Sequence, residues 1–142
     1  MQARWLLTLT LALIALAGCG GESAAATLAG PLNYHRSGGF GGEVDDITIQ
    51  RDGRARSETR RGGKRSFKLR KADLDRVAAL VRDADLARVK VRKSRPANDL
   101  FYYSIAYRGR KLEFDDLTIP EPVSELVGAL DSIVRRYAGG AG

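Results

Sequence analysis

Apart from Cys19 the 142-residue chain contains no cysteine, so no intramolecular disulfide can form and the fold must rest on its hydrophobic core. Histidine is equally scarce. His35 is the only imidazole, which excludes a His-rich zinc site and leaves one candidate base for a Ser-His-acid arrangement, with no nucleophile elbow near it. A half-exposed strand residue is the simpler reading of His35. Glycines 38, 39, 41 and 42 do not make a phosphate loop: Phe40 interrupts them, no Gly-Lys-Ser/Thr follows, and the next segment reads as a strand. The adjacent pairs Asp45-Asp46 and Asp115-Asp116 would point to opposite faces of a strand and could not share a substrate proton. Either pair suits at most a weak calcium contact at a turn, and EF-hand spacing is absent. The residues therefore offer no catalytic site, no metal site and no cofactor, and the chain is expected not to be an enzyme.

An apolar run long enough to span a bilayer is also missing. The longest, Trp5 to Ala17, has 13 residues, is interrupted by Thr8 and Thr10, and follows the basic Arg4. That is signal-peptide length. Its end, Leu16-Ala17-Gly18-Cys19, resembles the lipobox of bacterial lipoproteins. The resemblance implies that residues 1–18 are removed, that Cys19 becomes the lipid-bearing first residue, and that the protein is held on the membrane of the cell envelope from outside the cytoplasm. Several acyl chains on one residue anchor stably, since each buried methylene contributes about 0.8 kcal/mol. The mature chain would lack both Trp and Met.

Losing Arg4 leaves 23 Lys and Arg against 17 Asp and Glu, unevenly placed. Residues 51–95 hold 17 basic and 6 acidic side chains, whereas the rest of the mature chain holds 6 basic and 11 acidic. Such a block could face an anionic envelope polymer or lipid headgroups, or be a solvated strand and helix face. Nucleic acid is disfavoured, because no aromatic is interleaved among Arg51 to Arg65 for bases to stack on.

Residues 19–30 are small and mostly uncharged and read as a lipid-anchored tether; 139–142 read as a disordered tail. Between them, 31–138 suffice for one small domain. Leu32 and Tyr34 suggest a strand running into the glycine-rich turn Ser37 to Gly42; Val44 to Gln50 reads as a second strand, followed by a type I′ signal at Asp52-Gly53. Arg54 to Arg60 and Ser66 to Leu69 continue the sheet. Lys71 to Ala84 then changes to helical spacing at Leu74, Val77, Val81 and Ala84, with Asp73 and Asp75 in the first turn. Arg88 to Arg95 reads as a surface loop. Leu100 to Arg108 alternates Phe101, Tyr103, Ile105 and Tyr107 against Tyr102, Ser104 and Ala106, and turns at Arg108-Gly109 into Lys111 to Asp115. Thr118 and Glu121 are spaced as a capping box for a final helix with its apolar stripe from Val123 to Tyr137. One apolar sheet face and two amphipathic helices predict an α+β domain: an antiparallel sheet of four to six strands packed on two helices.

Arg36-Ser37-Gly38-Gly39-Phe40-Gly41-Gly42 resembles the Arg-Ser-Gly-Gly-Phe segment of the emfourin family, small bacterial protein inhibitors of thermolysin-like metallopeptidases. The likeness extends over Asp73-Leu74, Leu80-Val81, Pro96 to Asp99 ahead of Phe101 to Tyr103, and Phe114-Asp115-Asp116 ahead of Val123 to Val127, about residues 32–135. It implies a non-covalent binding protein whose partner is a secreted or surface metallopeptidase. Arg36, Ser37, Gly38, Gly39 and Phe40 would form its contact loop, Phe40 as apolar anchor and Arg36 as a polar rim contact, with Asp115 and Asp116 as further participants. Two roles remain open for Phe40: a plug of the core, or an anchor entering a peptidase cleft. The alternative to inhibition is a structural or envelope-interaction lipoprotein that holds anionic polymer or lipid headgroups through its Arg-rich hairpin.

Overall fold

The computed structural model describes residues 27–92, 97 and 99–139. The expected signal peptide 1–18, Cys19, most of the expected tether and residues 140–142 of the tail lie outside the described residues. Six strands form one antiparallel sheet: β1 Leu32–Gly38, β2 Glu43–Ile49, β3 Arg54–Thr59, β4 Gly63–Lys68, β5 Phe101–Tyr107 and β6 Arg110–Asp115. Their spatial order is β4-β3-β2-β1-β5-β6. Helix α1, Lys71–Ala84, follows β4, and α2, Glu121–Ile133, follows β6 and runs into a π-helical turn, Val134–Ala138. The fold is α+β, as the alternation of strand and helix periods predicts.

Period-two alternation decides which face is buried. Leu32 and Tyr34 of β1, Ile47 and Ile49 of β2, Ala55 of β3, Tyr103 and Ile105 of β5 and Leu112 and Phe114 of β6 turn to one side. There they meet Val77 and Val81 of α1 and Val123, Leu126, Leu130 and Ile133 of α2 in one core. Phe101, expected in that core, is half-buried at its margin. Among the described residues the other sheet face carries no helix, and it is lined by polar side chains such as Asn33, His35, Thr48 and Ser104.

Part of the stretch expected to be tether is built into the domain. Leu28 is only 2% exposed and belongs to the core. Its carbonyl accepts from Arg51 Nε at 3.4 Å, and the Ala29 N–H donates to the Tyr107 hydroxyl at 2.7 Å.

Turn chemistry differs from expectation at two points. Asp52-Gly53 is not a type I′ turn. Only Gly53 is left-handed, at φ 83°, with Gly53 N–H bonded to Gln50 O at 3.0 Å and Gln50 N–H to Arg54 O at 2.7 Å. This is a three-residue loop closed by a glycine bulge. Arg108-Gly109 does have both residues left-handed, at φ 50° and 78°, between the paired Tyr107 and Arg110. The capping box is also absent. Pro120 is the N-cap of α2, and no side chain caps the helix. Thr118 is already engaged, its hydroxyl donating to Asp115 Oδ1 at 2.8 Å. The loop after α1 is not all surface either, since Val89 is buried and its carbonyl accepts from Arg110 Nη2 at 3.0 Å.

Candidate binding surface

The glycine-rich segment divides between strand and turn. Ser37 and Gly38 still pair in β1, Gly38 opposite both Glu43 and Phe101, and the turn proper is Gly39 to Gly42, closed by Gly42 N–H to Gly39 O at 3.0 Å. Gly38 lies at φ 112° with its Cα against the Leu100 carbonyl, and Gly39 lies at φ 68° against the Phe101 ring. Any side chain at Gly38 would collide with that carbonyl, so glycine is required there for close approach as well as for backbone angle. These glycines bend the chain sharply enough to present Phe40 at the tip, 94% exposed. Between the two roles open to Phe40, the structure removes the core plug.

Phe40 is not isolated. The other large exposed apolar residues among those described are Val44, Tyr102 and Leu117. All belong to this end of the sheet. Ser37 is the cross-strand neighbour of both Val44 and Tyr102, and Tyr102 pairs with Asp115, two residues before Leu117. The β1–β2 turn and the β6–α2 turn are tied to the same strand start: Gly39 N–H donates to Leu100 O and Asp116 N–H to Phe101 O, each at 3.1 Å. With β5 alone between β1 and β6, the two turns stand roughly 10 Å apart. Their tips carry Phe40 and Leu117, and the Val44–Ser37–Tyr102 row lies behind them. Beside it a hollow of about 820 Å³ opens, lined among others by His35, Ser37, Tyr102, Glu113 and Asp115.

Arg36 is not a rim contact. Two residues along β1 from Tyr34, it turns to the helix side, where its Nη2 meets Asp45 Oδ2 at 2.5 Å and its Nη1 lies 3.3 Å from Asp131 Oδ1. Its guanidinium also sits over the Phe101 ring, 5.1 Å from the centroid. Tyr34 donates to the same Asp131 oxygen at 2.6 Å. Burial and then the Asp131 charge push the Tyr34 hydroxyl far above its ordinary range. Burial draws the Arg36 guanidinium down, but the hydrogen bond it donates to Asp45 and the charges of Asp131 and Asp45 outweigh it and leave it raised. The group stays charged inside a network that ties β1 and β2 to α2, three residues before the turn that carries Phe40.

Asp115 is not a contact residue either. At 1% exposure it organises the turn, its Oδ1 accepting from Leu117 N–H at 3.0 Å and from the Thr118 hydroxyl at 2.8 Å. Asp116 is exposed and bonds back to Phe101. Of the expected contact residues, Ser37, Gly39, Phe40 and Asp116 therefore share one surface, while Arg36 and Asp115 support it from within. Val44, Tyr102 and Leu117 were not anticipated. Only Tyr102 left a trace in the sequence, as the aromatic on the polar phase of β5.

The Arg-rich hairpin is spread along the sheet edge. Arg61 pairs with Glu43 at 2.6 Å and Lys64 with Glu58 at 3.6 Å, while Arg65 and Arg60 bond to the carbonyls of nearby glycines. Exposed Lys64, Arg65 and Lys68 line β4, an edge strand that such charges keep from pairing with other chains.

No protein-family model matches this chain, and no curated protein matches it.

Proposed function

We propose that this chain is a lipid-anchored extracytoplasmic binding protein that inhibits a thermolysin-like metallopeptidase without covalent chemistry. The observation that carries the reading is Phe40, a large apolar side chain 94% exposed on a loop whose glycines are locked against β5. An exposed aromatic on a rigid turn enters a concave site at little ordering cost, and aromatic anchors of this kind dominate interface energetics. Leu117, Tyr102 and Val44 widen the contact beyond one side chain. The likeness of Arg36 to Gly42 to the emfourin segment suggests the class of target, and the Leu16 to Cys19 segment suggests lipid on Cys19.

The test is residual activity of several thermolysin-like peptidases titrated with the purified chain. Saturable inhibition that Phe40→Ala weakens supports the reading; full activity at micromolar chain across the set removes it. Anchoring is tested by Cys19→Ser, which should prevent lipid attachment and leave Trp5 on the chain. Lipid-free Cys19 in membrane-extracted protein would refute it.

A further inference from the structure

We infer that the sheet end opposite Phe40 is a docking surface for the headgroups of anionic phospholipids, so that the domain sits on the membrane with its apolar tips pointing away. The N-terminal segment leaves the domain at this end. Leu28 and Ala29 are pinned beside Arg51 and Tyr107, at the start of β1, whereas Phe40 follows its last residue. Seven residues of strand separate the two ends, roughly 23 Å. The orientation part rests on the lipid-anchor reading: eight residues of chain from Cys19 to Thr27 reach at most about 28 Å, which holds this end close to the lipid.

Charge at this end fits an anionic leaflet. The β2–β3 turn brings Arg51 and Arg54, the end of α1 and the turn after it bring Arg82 and Arg88, and the β5–β6 turn brings Arg108 and Arg110, all exposed. Asp52, Asp83 and Asp85 offset them only in part, through ion pairs with Arg54, Arg82 and Arg88. Arg82, Arg108, Arg110, Thr27 and Asp85, whose carboxylate pairs with Arg88, border a hollow of about 600 Å³ with Ala78, Val81 and Leu86 among its lining. Guanidinium forks over an apolar floor suit a phosphate carried on a hydrocarbon stem. Arg108 also stands at φ 50°, where glycine or asparagine costs less, so a charged side chain is kept at the tip against local preference. The Phe40 end is mixed in charge, with Arg60 and Arg61 beside Glu43, Asp116 and Glu121.

The test uses the full chain, expressed in a host that can lipidate it and reconstituted into vesicles containing a headgroup-labelled quencher. A fluorophore is placed on Ala87→Cys or on Phe40→Cys. In vesicles with about a third phosphatidylglycerol, the label at position 87 should be quenched severalfold more than in pure phosphatidylcholine, and the label at position 40 should be quenched little in either. Raising salt from low to molar concentration, or introducing Arg82→Glu with Arg88→Glu, should remove most of that difference. Equal quenching at position 87 in both vesicles, or stronger quenching at position 40, overturns the proposal. If the Cys19 thiol of the unsubstituted chain proves reactive, lipid anchoring fails. The vesicle comparison is then made on Cys19→Ser with Ala87→Cys, where composition-dependent quenching still supports docking and its absence still refutes it.

Discussion

Phe40→Ala should separate binding from stability almost completely. With 94% of Phe40 exposed, the substitution removes contacts over only about a twentieth of a side chain that would cover roughly 200 Å² when fully buried. At about 25 cal/mol per Å² the loss to folding is about 0.3 kcal/mol, inside the spread of ordinary surface substitutions. Phe114, on the core side of β6 and 6% exposed, gives the contrast, since Phe114→Ala should cost about 3 to 5 kcal/mol. Inhibition should rank the two variants oppositely. Loss of a central aromatic anchor costs about 2 kcal/mol or more, which appears as an inhibition constant raised about thirtyfold. Urea unfolding followed by far-ultraviolet circular dichroism supplies the stability, and a peptidase titration on protein verified as folded supplies the inhibition. A Phe40→Ala variant whose unfolding midpoint drops like that of Phe114→Ala would mean the ring is buried in solution. One that inhibits undiminished would show that the loop is not the contact.

Leu28→Ala should destabilise by about 2 to 5 kcal/mol because the leucine is buried in the core, and an unchanged urea midpoint would return this stretch to the tether. Arg36→Met should cost about 3 kcal/mol by leaving Asp45 and Asp131 without their cation, a loss readable by thermal unfolding and expected to exceed that of exposed Arg56→Met several times over. At Asp73 the hydrogen bond from Arg70, aided by Tyr137 and Arg136 against the opposing effect of burial, holds the carboxyl below the usual carboxylate range. A lowered folded-state pKa stabilises above the unfolded value near 4 and is lost as pH falls further, so the stability gap between wild type and Asp73→Asn should be full at pH 7 and shrink below about pH 4. A gap that stays constant down to pH 2 would refute the ionic role of Asp73.

The sheet and helices were legible because their signals are periodic. Phe101 to Tyr107 alternates at period two and Leu74 to Ala84 at helical spacing, and each period names the buried face without knowledge of any partner. Leu28 was missed because a single apolar residue has no period. The Asp52-Gly53 turn was misread because the dipeptide permits two loop lengths, and the choice between them belongs to the register of β2 on β3, where Ile49 pairs with Ala55. At the candidate surface the same distinction decides what could be read. Phe40 between glycines is a local signal, since no neighbouring side chain can bury it from within the loop. Arg36, four residues earlier, looks like part of the same motif, yet strand parity turns it with Tyr34 toward α2, and only the tertiary placement of Asp131 reveals that an arginine can be satisfied there. Asp115 follows the same logic in reverse: next to exposed Asp116 it looks solvated, but the turn folds over it and uses its carboxylate to hold Leu117 outward. A contact motif in sequence therefore mixes residues that touch a partner with residues that shape the surface, and exposure combined with strand parity separates the two.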